Sequence, residues 1–235
     1  MKRYFSHPIV VFSLVLAFFG LVSLNLEAAT LTGKVSFQGT VPGQKRVSMN
    51  ADPKCAALHK EAVYFQEVVV GKGGELANAF IYIKSGLEGK KFEVPKEAVV
   101  FDQRGCWYVP HVFGVQVNQT LEILNSDPTT HNVNATPEFN AAMPPVLKKI
   151  TKKFTKAKVM LPIKCNVHPW MTAYVGVMEH PFFSTSKEDG TFEIVNLPAG
   201  KYVIEAWHEK LGTQTQEVTV ADGDTKEIQF AFKGQ

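Results

Sequence analysis

No stretch of this 235-residue chain sustains an apolar repeat at the 3.6-residue helical period. Short runs of β-branched and aromatic residues, separated by Gly, Pro and Asn turns, take its place. That pattern predicts an all-β protein. Other absences narrow the chemistry. The chain has no phosphate-binding loop, no defensible Ser/His/Asp order and no carboxylate pair in a recognisable catalytic setting. It is therefore read as not an enzyme. There is no Cys-x-x-Cys-His, so covalent c-type haem finds no support. The formal net charge of +3 includes Lys2 and Arg3 against Glu27, so the rest of the chain is close to neutral. That leaves no basic surplus for a nucleic-acid partner.

The N-terminus carries a targeting pattern. Lys2 and Arg3 precede an apolar run from Ile9 to Leu24, broken only by Ser13, Gly20 and Ser23, and Ala28-Ala29 then offers small residues for cleavage. Residues 1–29 read as a secretory signal peptide, placing the protein in the periplasm or another exported location. The rival reading is an uncleaved anchor, the one case in which a membrane is a partner. No cysteine directly follows the run, which argues against a lipid-modified form. Export implies an oxidising compartment where disulfides persist.

What is present centres on Cys165-Asn166-Val167-His168-Pro169-Trp170-Met171. A thiolate, an imidazole and a thioether on one tight loop suit copper better than zinc, calcium or magnesium. The missing second imidazole lies upstream, in Asn125-Ser126-Asp127-Pro128-Thr129-Thr130-His131-Asn132. The set becomes His131, Cys165 and His168 with Met171 as a long axial ligand, the pattern of a type 1 copper site. Taken singly, each has a plainer reading: a loop histidine, a buried free cysteine, a methionine filling a core gap.

The Cys-x2-His-x2-Met spacing, Pro169, Trp170 and the upstream His131-Asn132 pair together resemble a cupredoxin, with a copper loop of the amicyanin type. The resemblance covers roughly residues 97 to 180. It implies one copper ion, single-electron transfer and a redox partner such as a cytochrome, dehydrogenase or oxidase. It implies that Asn132 hydrogen-bonds near the Cys165 sulfur. Pro169 and Trp170 are expected at the mouth of the site beside the His168 edge as an apolar electron-transfer surface, which Met143, Pro144 and Pro145 would extend, the plainer reading being ordinary loop packing. Cupredoxins often have a glycine soon after the methionine; Thr172-Ala173-Tyr174 stand here instead. The lysines at 148, 149, 152, 153, 156 and 158 are either a solvated face or a steering surface for an acidic partner.

With Cys165 assigned to copper, Cys55 and Cys106 remain. They are expected to form a disulfide, the rival being a second metal site completed by His59 and His111.

The tail from Asp189 to Trp207 reads strand, Pro-Ala-Gly turn, strand. It resembles the second half of a carboxypeptidase regulatory-like, or transthyretin-like, domain. Thr32-Gly33-Lys34-Val35 and Ala79-Phe80-Ile81-Tyr82 resemble its first half. The expected architecture is a cupredoxin Greek-key sandwich over 96–183, inserted into a small β-sandwich made of 30–95 together with 184–233. Strands are expected near 31–37, 67–70 and 78–84, with a long connection over 134–147. Two other functions stay open: copper binding and delivery, and a carbohydrate- or cell-surface-binding module with an accessory copper site. A multicopper enzyme would need His-x-His pairs, and the chain has none.

Overall fold

A computed structural model describes Met1 and residues 27–234. The apolar run of the expected signal segment lies outside the described residues. Ala29, the last residue of the expected signal segment, is buried in the first strand among the described residues. The first strands are β1 (Ala29–Gln38), β2 (Phe80–Ser85), β3 (Val99–Gln103), β4 (Tyr108–Val109) and β5 (Val112–Gln116), with helix α1 (Pro53–Ala57) between β1 and β2. Next come β6 (Leu121–Asn125), β7 (His131–Ala135), β8 (Phe139–Met143), β9 (Lys149–Lys152), β10 (Lys158–Lys164) and β11 (Thr172–Met178). The last are β12 (Phe183–Thr185), β13 (Thr191–Leu197), β14 (Gly200–His208), β15 (Gly212–Val220) and β16 (Thr225–Lys233). The five-residue helix is the only α-helix among the described residues, so the fold is all-β.

The strands build four sheets. Two come from the middle of the chain, ordered β4-β3-β6-β9 and β5-β11-β10-β7-β8. The other two, β13-β1-β16 and β12-β2-β14-β15, draw on both ends. Each pair of sheets encloses its own apolar core, as strand alternation requires. Phe101, Phe113, Leu121, Ile123, Val133, Ile163 and Val175 fill the middle one. Leu31, Val35, Ile81, Phe192, Ile204, Phe230 and Phe232 fill the other.

Strand β2 explains how the two sandwiches meet. Its residues Phe80, Ile81, Tyr82 and Ile83 are all buried, which is why the run shows no polar alternation. Ile81 and Ile83 point into the terminal core, while Phe80 and Tyr82 point the other way, onto Val112, Met160 and Met178. The Phe80 ring lies over Gly176, where an added Cβ would come within 2.4 Å of it. Gly176 is paired with Gly114 across β11 and β5, and a Cβ on Gly114 would meet the Phe183 ring at 2.3 Å. Two adjacent glycines thus let one sandwich approach the other.

Three expectations need correction. Residues 134–147 are not one long connection. β7 and β8 form an antiparallel hairpin from His131 to Met143 that takes up most of them, its turn held where the Asn134 side chain accepts from the Thr136 amide at 3.1 Å. Glu67–Val70 makes only an isolated bridge, Val70 to Leu76. The segment from Val47 to Phe65 leaves the terminal sandwich and packs on the middle core through Val47, Met49, Cys55, Val63 and Phe65. The Cys55–Cys106 disulfide, with Cα atoms 5.6 Å apart, fastens it there.

Candidate metal centre

Two neighbouring connections deliver the site. The loop between β10 and β11 is the seven residues Cys165 to Met171. It is closed on itself: the Cys165 amide donates to the Met171 carbonyl at 3.2 Å, and the Met171 amide to the His168 carbonyl at 3.0 Å. His131 opens β7, after a turn in which Asn125 holds both sides. The Asn125 amide nitrogen donates to the carbonyls of Thr129 at 3.0 Å and Met143 at 2.8 Å. Cys165, His131, His168 and Met171 are all buried.

The donor atoms converge. Nδ1 of His131 lies 2.9 Å from Nδ1 of His168, and that atom lies 3.8 Å from the Cys165 sulfur. One ligand atom from each of the three residues falls within 4.8 Å of the others. Met171 is fully buried at the end of the same loop, beside them in sequence. The opposite nitrogen of each imidazole faces a carboxylate. His131 Nε2 is 2.8 Å from Asp127 Oδ2, and His168 Nε2 is 3.0 Å from Asp52 Oδ2. A carboxylate on Nε2 fixes the ring and its tautomer and turns the Nδ1 lone pair toward the centre. Two such lone pairs aimed at one point, with a sulfur beside them, fit a thiophilic cation that accepts imidazole.

The electrostatics agree with that reading. Burial alone would push the Cys165 thiol up. It is instead held below the usual thiol range by His131 and by the backbone N–H groups of His168, Val167 and Asn132. Burial alone would lower His131, yet Asp127 and Cys165 on its two sides hold it at about 8. His168 is lowered, by burial and the neighbouring His131, against the pull of Asp52. Asp52 sits at about 2: burial opposes its charge, but hydrogen bonds from His168, Thr129 and the amides of Lys54 and Cys55 prevail. Asp127 is lowered too, its burial outweighed by His131 and the amides of Cys106 and Gly105.

The remaining expected residues fall as follows. Asn132 approaches the cysteine through its backbone N–H, while its side-chain oxygen accepts from the Asn166 amide at 3.2 Å. Cys55 and Cys106 are joined, which removes the alternative metal site with His59 and His111. Those histidines are committed elsewhere, His59 to the Gly105 carbonyl at 2.8 Å and His111 to Glu209 at 2.5 Å. Pro169 is exposed. Trp170 is not a surface residue: it is buried, its ring packs against His168 and its Nε1–H donates to the Cys106 carbonyl at 3.1 Å. Met143 is likewise buried, with its sulfur 3.0 Å from Gln103 Nε2.

Sequence reading did not single out three residues. Asp127 lies in the ligand-bearing stretch, four residues before His131, and that proximity was a usable signal. Asp52 is 116 residues from His168 and gave none. Tyr108 is buried with its hydroxyl donating to the Asn132 carbonyl and close to the Cys165 sulfur, which, together with burial, pushes the phenol well above its usual range.

No protein-family model matches this chain, and no curated protein matches it. Solved structures give partial likenesses. An oxidized amicyanin mutant is 23% identical with a TM-score of 0.31, covering 41% of this chain and 97% of that one. A copper-containing nitrite reductase from Thermus scotoductus SA-01 is 22% identical with a TM-score of 0.31, covering 39% of this chain and 24% of that one. A purple cupredoxin from Nitrosopumilus maritimus is 18% identical with a TM-score of 0.28, covering 33% of this chain and 97% of that one.

Proposed function

We propose that this chain is an exported electron carrier that would hold one type 1 copper ion on His131 Nδ1, His168 Nδ1 and Cys165 Sγ, with Met171 as a further, weak ligand. The observation that carries the proposal is the convergence of those three donors with a carboxylate behind each imidazole. Bound copper would supply a one-electron Cu(I)/Cu(II) couple. The chain's own residues do the rest. Backbone N–H groups favour the Cys165 thiolate. Asp127 and Asp52 hold the imidazoles in one tautomer. Burial keeps water from the donors, and the hydrogen bonds that close the 165–171 loop fix their positions. The four candidate ligands are all buried, which favours carriage over catalysis. The disulfide suits an oxidising compartment outside the cytoplasm.

The burial of all four ligands favours electron transfer over copper delivery, because a delivery site exchanges metal at its surface. Redox titration of the copper-loaded protein tests the reading. Reversible one-electron cycling with copper retained is expected. Loss of copper on reduction would favour the delivery reading.

A further inference from the structure

An electron carrier needs a face through which its ligands meet a partner, and of the expected one only Pro169 is exposed. Trp170 is buried, and the His168 edge is covered by Asp52 and Cys55, whose Sγ lies 3.6 Å from His168 Nε2. The Nε2 edges of both imidazoles nevertheless meet aspartates tied to one stretch, the 127–130 turn. Asp52, which faces His168 Nε2 at 3.0 Å, also accepts from the Thr129 hydroxyl at 2.9 Å. Asp127, which faces His131 Nε2 at 2.8 Å, directly precedes the exposed Pro128. The 127–130 turn and the α1 segment therefore form one roof over the two ligands.

Two lysines are set into that roof. Lys54 Nζ donates to the Pro128 carbonyl at 3.3 Å, and Lys148 Nζ reaches the Asp127 carbonyl at 3.5 Å. Both side chains are exposed. Beside Lys148 stand Val146, 88% exposed, and Leu147. Their loop is bound to the roof, since the Asn125 amide donates to the Lys148 carbonyl at 3.0 Å and its side chain spans to Thr129. Asp127 and Asp52 turn their carboxylates inward onto the imidazoles, with side chains only 4% and 19% exposed, so the exposed charges of the roof are those of Lys54 and Lys148. An apolar tip beside two fixed cations matches a partner that carries carboxylates around an apolar centre.

We propose that the roof made by Lys54, Pro128, Val146, Leu147 and Lys148 is the docking face for an acidic redox protein, and that electrons cross it by way of Asp127–His131 and Asp52–His168. This rests on the copper reading above. Each route from roof to ligand is one hydrogen bond long.

Stopped-flow reduction of the copper-loaded protein by hexacyanoferrate(II), an anionic probe, tests it beside hexaammineruthenium(II), a cationic one. The variants are Lys54→Glu/Lys148→Glu on the roof and Lys201→Glu/Lys233→Glu on the terminal sandwich. The roof pair is expected to slow the anionic reaction about tenfold and speed the cationic one at low salt, with the visible spectrum unchanged. Equal effects from both pairs, or no effect from the roof pair, would overturn the proposal and leave the copper site standing. A copper-independent arm uses the apoprotein and the paramagnetic anion hexacyanochromate(III), read by NMR. Broadening centred on the amides of Lys54, Thr129 and Val146–Lys148 is expected. Broadening centred on Pro169's neighbours or the terminal sandwich would overturn the proposal even if copper failed to bind.

Discussion

His131 and His168 meet Nδ1 to Nδ1 at 2.9 Å, each with its Nε2 on a carboxylate. The two aspartates come from separate parts of the chain and do the same work. Asp127→Asn or Asp52→Asn keeps the shape of the contact but lets the amide present either face to Nε2. Each should lower copper affinity about 10- to 100-fold, as loss of a ligand-orienting carboxylate does elsewhere. Competition with a chromophoric copper chelator measures it. Unchanged affinity in both variants would mean the carboxylates do not orient the rings.

The Cys55–Cys106 disulfide closes a loop across a sequence separation of 51 and pins α1 over His168. Cys55→Ala/Cys106→Ala should destabilise the apoprotein by about 4 kcal/mol on loop-entropy grounds. The loss should be local first. Amide hydrogen exchange at Val47 and Phe65, whose amides bond across that segment, should accelerate before the strands of the sandwich loosen. Uniform acceleration everywhere would show that the segment is no separate unit.

Gly176 allows the two sandwiches to touch. Gly176→Val would drive its side chain into the Phe80 ring and should cost about 1–3 kcal/mol. Adding Phe80→Ala should restore part of that loss, because the cavity then receives the new methyl groups. Thermal melts of the two single variants and the double variant read the coupling. Strict additivity would contradict the packing described.

His208 is buried, accepts from the Lys210 amide at 3.3 Å through Nδ1, and has no partner at Nε2. Burial, with nearby His111, lowers it to about 4. The unfolded chain takes up a proton near the ordinary value of 6.5 while the folded one does not. Stability is therefore intact above about 6.5 and is lost as pH falls from there toward 4, by about 2–3 kcal/mol at pH ~4.5. Urea unfolding of the apoprotein at pH ~7 and pH ~4.5 checks it. His208→Leu should show a smaller drop between the two; an equal drop would place the acid sensitivity elsewhere.

Much of this molecule was legible in its sequence, for physical reasons. Residues on one loop obey local spacing, so Cys165, His168 and Met171 stand out in the sequence as candidates, and the donor atoms of Cys165 and His168 do lie together. The all-β character followed from period and turn chemistry. Trp170 misled because an aromatic beside a ligand loop suits a surface as well as a core. The buried carbonyl of Cys106, which satisfies its indole N–H, came from a residue 64 positions away. Asp52 was hidden for the same reason. The hairpin of β7 and β8 was missed because Asn134, Asn140 and Pro137 weaken any strand signal, and the pairing is set by the ladder from His131–Met143 to Ala135–Phe139.

The most direct test of the account is a titration of the purified protein with Cu(II), followed in the visible range, with Cys165→Ser alongside. The account predicts an intense thiolate-to-copper charge-transfer band that saturates at one copper per chain and disappears in the variant. A colourless copper complex of the unaltered protein, or a band that survives in Cys165→Ser, would contradict it.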